Sequence, residues 1–424
     1  MSAVSCPRLR PVESFPYSAD GGEPLFVLRD PEGFAGAVVL PVAGAILASL
    51  MDGSRSLMQL QDEFRRQTGF PVALADLERL IGQLDERLLL DNDHFRARWK
   101  QELELYLNAP VRPAAHAGGA YESDPAELRT QLAGLFTHEK GPGAPGDGAA
   151  PSAPSELRGV LSPHIDLHRG GPAFAWAYKQ VVEESQADLF VVFGTAHRWM
   201  ANPFSISRKD FATPLGTVPT DRELAARLAA VLAETPAGRK LDLFADELAH
   251  RQEHSIEFQA LFLQYLLGGR RPFRLLPILV GSFHEYVASG QQPADSPEIA
   301  AFCAALRKVV DECPGRVCFV TGGDLAHIGQ RFGDRELLTP ERLHEQSLDD
   351  QELLAKACAG DAAGFFSHVA DREDRARICG LSPLYTMLQV MRPARGQFLI
   401  YDQAVEPDGT SCVSFGSLAF YGRG

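Results

Sequence analysis

Four stretches of this 424-residue chain run a short apolar segment into a small-residue turn and then a histidine: residues 157–164 (LRGVLSPH), 189–197 (LFVVFGTAH), 273–284 (FRLLPILVGSFH) and 317–327 (VCFVTGGDLAH). A continuous apolar run has no polar face to offer water, so it suits a strand covered on both sides by helices. In an open sheet of that kind, ligands bind outside the carboxyl ends of parallel strands, where side chains from distant parts of the chain meet. The pattern predicts an α/β fold with a central, mostly parallel β-sheet flanked by helices, and a histidine-lined crevice at one edge of it.

Each histidine carries a different weight. Pro163 withholds a donor and ends its strand, which leaves His164 in the loop beyond. His197 follows Gly194-Thr195-Ala196, and His327 follows Gly322-Gly323-Asp324-Leu325-Ala326, whose paired glycines allow backbone to approach a ligand closely. His284, beyond Gly281-Ser282 and before Glu285-Tyr286, reads as a surface turn. His254 sits in Glu253-His254-Ser255-Ile256-Glu257 at the start of a helix over residues 253–267. At i and i+3, His254 and Glu257 share a helix face, so the carboxylate is expected to orient the imidazole as a general acid/base. The competing reading is a helix start whose acids complement the dipole, which accounts for Glu253 and Glu257 but not for His254. Imidazoles converging at strand ends make metal binding the leading expectation.

Charge and cysteine usage exclude other classes. Forty-one Lys and Arg against 55 Asp and Glu leave a net charge of -14, which opposes binding to nucleic acid. The seven cysteines form no CxxC pair and no dense framework, as expected of reduced thiols in a cytoplasm. The first residues carry no apolar core of a secretion signal, and the apolar run 34–51 is broken by Pro41 and glycines, so it reads as a buried strand and helix and not as a membrane span.

Residues 1–110 read as a small winged-helix-like domain. Leu25–Leu28 suits a strand, and Val42, Ile46 and Leu50 carry a helical stripe. Ser56 is placed to cap a second helix that ends at Gly69, Leu74, Leu77, Ile81, Leu84 and Leu88 space a third, and residues 88–95 suggest a terminal hairpin. The third helix is acidic, which favours a peptide or protein partner over DNA. This segment resembles the peptide-clasping domains that accompany enzymes of peptide modification and quinone-cofactor biosynthesis. Residues 111–424 form the larger domain, and the low-complexity stretch 141–155 (GPGAPGDGAAPSAPS) reads as a flexible surface loop within it.

Across residues 112–424 the motifs AGGAY (117–121), Pro163-His164, GTAH (194–197), TPLG (213–216), EHSIE (253–257), PILVG (277–281), DLAH (324–327) and Ile378-Cys379-Gly380 occur in an order that resembles the Memo family, called AmmeMemoRadiSam system protein B in bacteria. The resemblance implies the fold of class III extradiol dioxygenases and a pocket similar to their non-haem iron site. It implies metal ligation by His164 and His197, and acid/base service by His254, with His250 as an additional candidate. It places the cysteine ligand of animal members at Ala326, so the third donor is expected from Asp324 or His327, with Fe(II) as the cofactor. The system's name implies a radical-SAM protein as partner. Two functions follow as expectations: a dioxygenase-like oxidoreductase, or a non-catalytic adaptor that keeps the dioxygenase fold.

Overall fold

A computed structural model describes residues 6–17, 24–30, 34, 36–146, 157–391 and 394–422. The chain forms two compact units, Met1–Asn108 and Ala109–Gly424. Among the described residues no helix is long and apolar enough to cross a membrane. The apolar run at 34–51 contains the strand Val38–Pro41 and the helix Val42–Ser49.

In the first unit an antiparallel sheet of Glu13–Tyr17, Leu25–Arg29 and Val38–Pro41 precedes the helices. Helix Leu57–Thr68 begins at Ser56, whose side chain accepts from Gln59 N while Gln59 bonds back to the Ser56 N–H, and it ends on Gly69 at φ 80°. Leu60, Phe64, Leu77, Leu80, Ile81 and Leu84 join its core with the buried sides of the strands and of the helix Leu74–Glu86. The hairpin expected at residues 88–95 does not form. Asn92 Oδ1 accepts from Phe95 N (3.0 Å), and a helix runs over Asp93–Asn108. The Asp-Asn-Asp triplet starts a helix because its short polar side chains serve free N–H groups as readily as they make turns.

In the larger unit, four parallel strands stand side by side in the order Leu157–Ser162, Val317–Gly322, Leu189–Thr195 and Arg274–Val280. Antiparallel strands flank them: Phe204–Ile206 beside Arg274–Val280, and Cys412–Gly422 beside Leu157–Ser162. Cys412–Gly422 also pairs with Ala394–Val405 and with His327–Ile328. The central sheet is therefore mixed, with a parallel middle. Its strands are buried on both faces: Val191, Phe193, Leu276 and Ile278 pack into one core, and Phe190, Val192, Leu275 and Leu279 into the other. Helices Arg222–Leu232, Pro297–Asp311, Ala362–Ala370 and Leu381–Val390 cover the first face, and Pro125–Thr137, Leu167–Glu184 and His254–Leu267 cover the second. This two-faced burial is why the strands read as unbroken apolar runs. Of the stretch 141–155, residues 141–146 are tied to the helix Leu167–Glu184 by Lys179 Nζ to Pro142 O (3.0 Å) and Gly146 N to Glu183 Oε1 (2.9 Å), and the rest lies outside the described residues.

Candidate metal centre

The site forms where the parallel strands end. Leu157–Ser162 gives way to Pro163, whose carbonyl accepts from buried Gln259 Nε2 (2.9 Å), and His164 follows, 2% exposed. His164 Nδ1 donates to Gly322 O (3.0 Å) at the end of the neighbouring strand. That bond fixes the neutral tautomer with its lone pair on Nε2. His197 stands two residues beyond Leu189–Thr195, and its Nδ1 donates to Glu253 Oε1 (2.9 Å), which again leaves Nε2 free. Glu253 Oε2 accepts from His197 N (2.9 Å), so one carboxylate holds both the ring and the backbone of His197. His254 opens its helix with Nδ1 3.4 Å from Glu253 Oε1. Ring centroids lie 5.0 Å apart for His164 and His197, 5.1 Å for His164 and His254, and 4.7 Å for His197 and His254. One ligand atom from each of the three lies within 4.8 Å of the other two.

A second set overlaps the first. Cys379 Sγ is 3.1 Å from His164 Nε2, Asp324 Oδ2 lies 3.6 Å from the same nitrogen, and His164, Asp324 and Cys379 also place donors within 4.8 Å of one another. Asp324 Oδ1 accepts from His164 N (2.9 Å), and Asp324 O accepts from Gly380 N (2.9 Å). Asp324 therefore ties the His164 loop to the Cys379 segment.

Burial sets the protonation states. Desolvation, reinforced by the neighbouring imidazole His197, lowers His164 to about 3. Desolvation also lowers His254 to about 3 against the pull of Glu253. Burial opposes the charge on Glu253, yet His197 and His254 hold its carboxylate well below the ordinary range. His197 is the exception among the rings: burial lowers it, Glu253 more than compensates, and its pKa is raised. Its side chain is 39% exposed, so the cluster reaches the surface there. Burial raises the Cys379 thiol and the Asp324 carboxyl. The neutral rings of His164 and His254, and a carboxylate that orients the ring of His197, form the arrangement in which histidine serves as a metal ligand. The donor set of imidazole nitrogens, one thiol and one carboxylate fits a transition metal better than calcium or magnesium.

The family model for Memo-like protein matches residues 112–419. This chain belongs to the Memo family. It is 28% identical to a MEMO1 family protein of Aquifex aeolicus over 399 residues, covering 93% of this chain and 96% of that one. A MEMO1 family protein of Thermus thermophilus is 28% identical over 369 residues, covering 87% and 99%. One from Methanothermobacter thermautotrophicus is 30% identical over 276 residues, covering 65% and 85%.

Within this Memo-family chain the carboxylate beside His254 is Glu253 and not Glu257. The helix begins at His254, so Glu253 is its extended cap residue and its side chain folds back over the rings. Glu257 points the other way, into a closed network. It accepts from Arg112 Nη1 (2.6 Å), Ala115 N (3.0 Å), His116 N (3.0 Å) and Tyr121 Oη (2.5 Å). Arg112, fully buried, also donates to His250 O (2.6 Å) and Glu253 O (2.7 Å), which binds residues 250–257 to the start of the domain. His250 is turned away towards Ser205 Oγ (3.2 Å).

His327 lies beside the cluster, with Nδ1 donating to Leu325 O (3.1 Å), but it shares no 4.8 Å donor group. Ala326 packs with Ile328 and Cys412 in a separate apolar cluster. The family resemblance placed a cysteine at position 326, where this chain has alanine; the sulfur that lies beside the cluster is that of Cys379 in the Ile-Cys-Gly motif, 3.1 Å from His164 Nε2. His284 opens the helix His284–Ser289 and lines a neighbouring cavity together with Cys379. The paired glycines admit backbone and not a ligand: a Cβ on Gly322 would lie 2.4 Å from Ser255 O, and one on Gly323 2.8 Å from Gly380 Cα.

Proposed function

We propose that the protein binds one non-haem transition metal, Fe(II) in the first instance, at His164 Nε2, His197 Nε2 and the Cys379–Asp324 side of the cluster. We propose that it serves as a dioxygenase-like oxidoreductase on a small or peptide substrate. The observation that carries this reading is the convergence of His164, His197 and His254, with Glu253 shared between two of them. A bound metal of this kind supplies Lewis-acid and redox chemistry. The protein's own groups do the rest. His164 presents an unprotonated Nε2 because Gly322 O holds its Nδ1–H, and Glu253 holds the Nδ1–H of His197 so that its Nε2 faces outward and releases its proton when a cation binds. Asp324 and Cys379 bring acidic donors whose protons leave when a cation takes their place. His254, neutral and next to Glu253, is placed to take up or return a proton at the rim of the cluster.

The likeness to class III extradiol dioxygenases and the name AmmeMemoRadiSam system protein B belong to this proposal, as does a radical-SAM protein as partner. A separate N-terminal unit supports a second role, in which that unit presents a peptide to the partner and the larger unit acts as a non-catalytic adaptor. Metal analysis of protein purified without a histidine tag, followed by dioxygen uptake with catechols, separates the readings. Stoichiometric iron with uptake supports the oxidoreductase, metal without turnover favours the adaptor, and no metal under any loading condition refutes the metal reading.

A further inference from the structure

We propose that Arg377 is the positioning residue that holds the Cys379 sulfur in the donor set; this rests on the metal reading above. Between the helices Ala362–Ala370 and Leu381–Val390, three non-glycine residues adopt left-handed backbone: Glu373 at φ 56°, Asp374 at 46° and Arg377 at 54°. Such conformations persist only where the surroundings hold them, and they gather at functional sites. Here the hold is a stitch between this segment and residue 327. Arg377 Nη1 donates to His327 O (2.9 Å), and Ala376 O accepts from His327 N (2.6 Å). Arg377 Nη2 donates to Asp334 Oδ1 (2.6 Å), and Asp374 Oδ1 accepts from Ile378 N (2.9 Å).

On its far side Cys379 is fixed by backbone: its carbonyl accepts from Thr195 Oγ1 (2.9 Å), and Gly380, where a Cβ would sit 2.6 Å from Asp324 O, packs flat against that loop. On the near side the Arg377 guanidinium bridges His327 O and Asp334, beside the Ala376–His327 backbone bond and the Asp374–Ile378 bond. A cavity of about 210 Å³ lined by Cys379, Arg377, Thr195 and Phe283 gives the thiol room to leave His164 once that guanidinium lets go. Arg377 therefore acts on the sulfur donor without touching the metal position itself.

The test uses full-length protein titrated with Co(II), whose thiolate-to-metal absorption reports the sulfur separately from the imidazoles. The wild type should bind one Co(II) with that absorption. Arg377→Met should weaken binding about 10- to 100-fold, the usual cost of losing an outer-shell partner, and should diminish the thiolate band. Asp334→Asn, which removes the charge of the half-buried carboxylate at the other end of the same stitch, should move both readouts in the same direction and carries the test if Arg377→Met does not fold. Arg375→Met, whose side chain is 78% exposed, should change neither. Unchanged affinity and band in both Arg377→Met and Asp334→Asn would overturn the proposal while leaving the metal reading intact. A wild-type protein that binds no Co(II) would overturn the metal reading beneath it.

Discussion

Replacing Glu253 by Gln removes one charge and almost no volume, so it isolates what that carboxylate does. Its two oxygens accept three N–H groups: His197 Nδ1–H and Ser255 N on Oε1 (2.9 and 3.1 Å), and His197 N on Oε2 (2.9 Å). Glutamine has one carbonyl oxygen, so in either flip its NH2 faces an N–H that it cannot accept, and His197 loses its ring anchor or its backbone anchor. The charge that favours the His197 tautomer is lost at the same time. Outer-shell losses of this kind cost about 10- to 100-fold in metal affinity, or roughly 1.4–2.8 kcal/mol. The assay is a competition titration with a chromophoric chelator, run on wild type, Glu253→Gln and Glu253→Asp. Aspartate restores the charge on a shorter stem and should recover part of the loss. Equal affinity in all three proteins would refute the assignment of Glu253 as the group that orients His197.

Other consequences follow from the same geometry. Glu257→Gln should lower stability by about 3–5 kcal/mol, because it leaves the Arg112 guanidinium buried without its counter-charge, and denaturant unfolding will measure it. Any protein that still folds should bind metal like the wild type, since Glu257 faces away from the cluster. His250, lowered to about 3 by burial and then by Arg112, refuses a proton that the unfolded chain accepts below about pH 6.5. Its stabilising share is therefore complete above pH 6.5 and is lost at roughly 1.4 kcal/mol per pH unit as pH falls towards 3. His250→Gln should flatten that slope in urea titrations of metal-free protein between pH 6 and 4, and parallel curves would refute it. Residues 109–424 expressed alone should fold and keep full metal stoichiometry, with binding of the partner peptide lost; metal analysis and a pull-down decide both points.

The parts of the fold legible in the sequence were those with a strong period or an unbroken apolar run. The four parallel strands declared themselves because both faces are buried, and their ends delivered His164 and His197 to one place. Short-range polar chemistry was less legible. Glu257 looked like the partner of His254 because the two share a helix face at i and i+3, but buried Arg112 and Tyr121 draw its carboxylate away, and Glu253, the cap residue before the helix, supplies the nearby carboxylate. The residues at 91–93 looked like a hairpin turn because turn and helix-start chemistries share the same short side chains. Cys379 could not be ranked as a donor from its surroundings: it follows a segment with three left-handed residues and no periodicity, 55 positions after Asp324. The Ile-Cys-Gly motif was the one signal that marked it. Arg112 gave no signal at all, since a buried arginine is recognised only by the partners the fold brings to it.

In the proposed site, imidazoles and one sulfur from this chain surround a single metal. X-ray absorption of the metal-loaded protein at the metal edge tests it most directly, with a His164→Ala/His197→Ala variant as control. The wild type should show one sulfur scatterer at about 2.3 Å together with imidazole multiple scattering, and the double variant should lose stoichiometric metal. A shell of oxygen atoms alone, or a spectrum unchanged by removing both histidines, would contradict it.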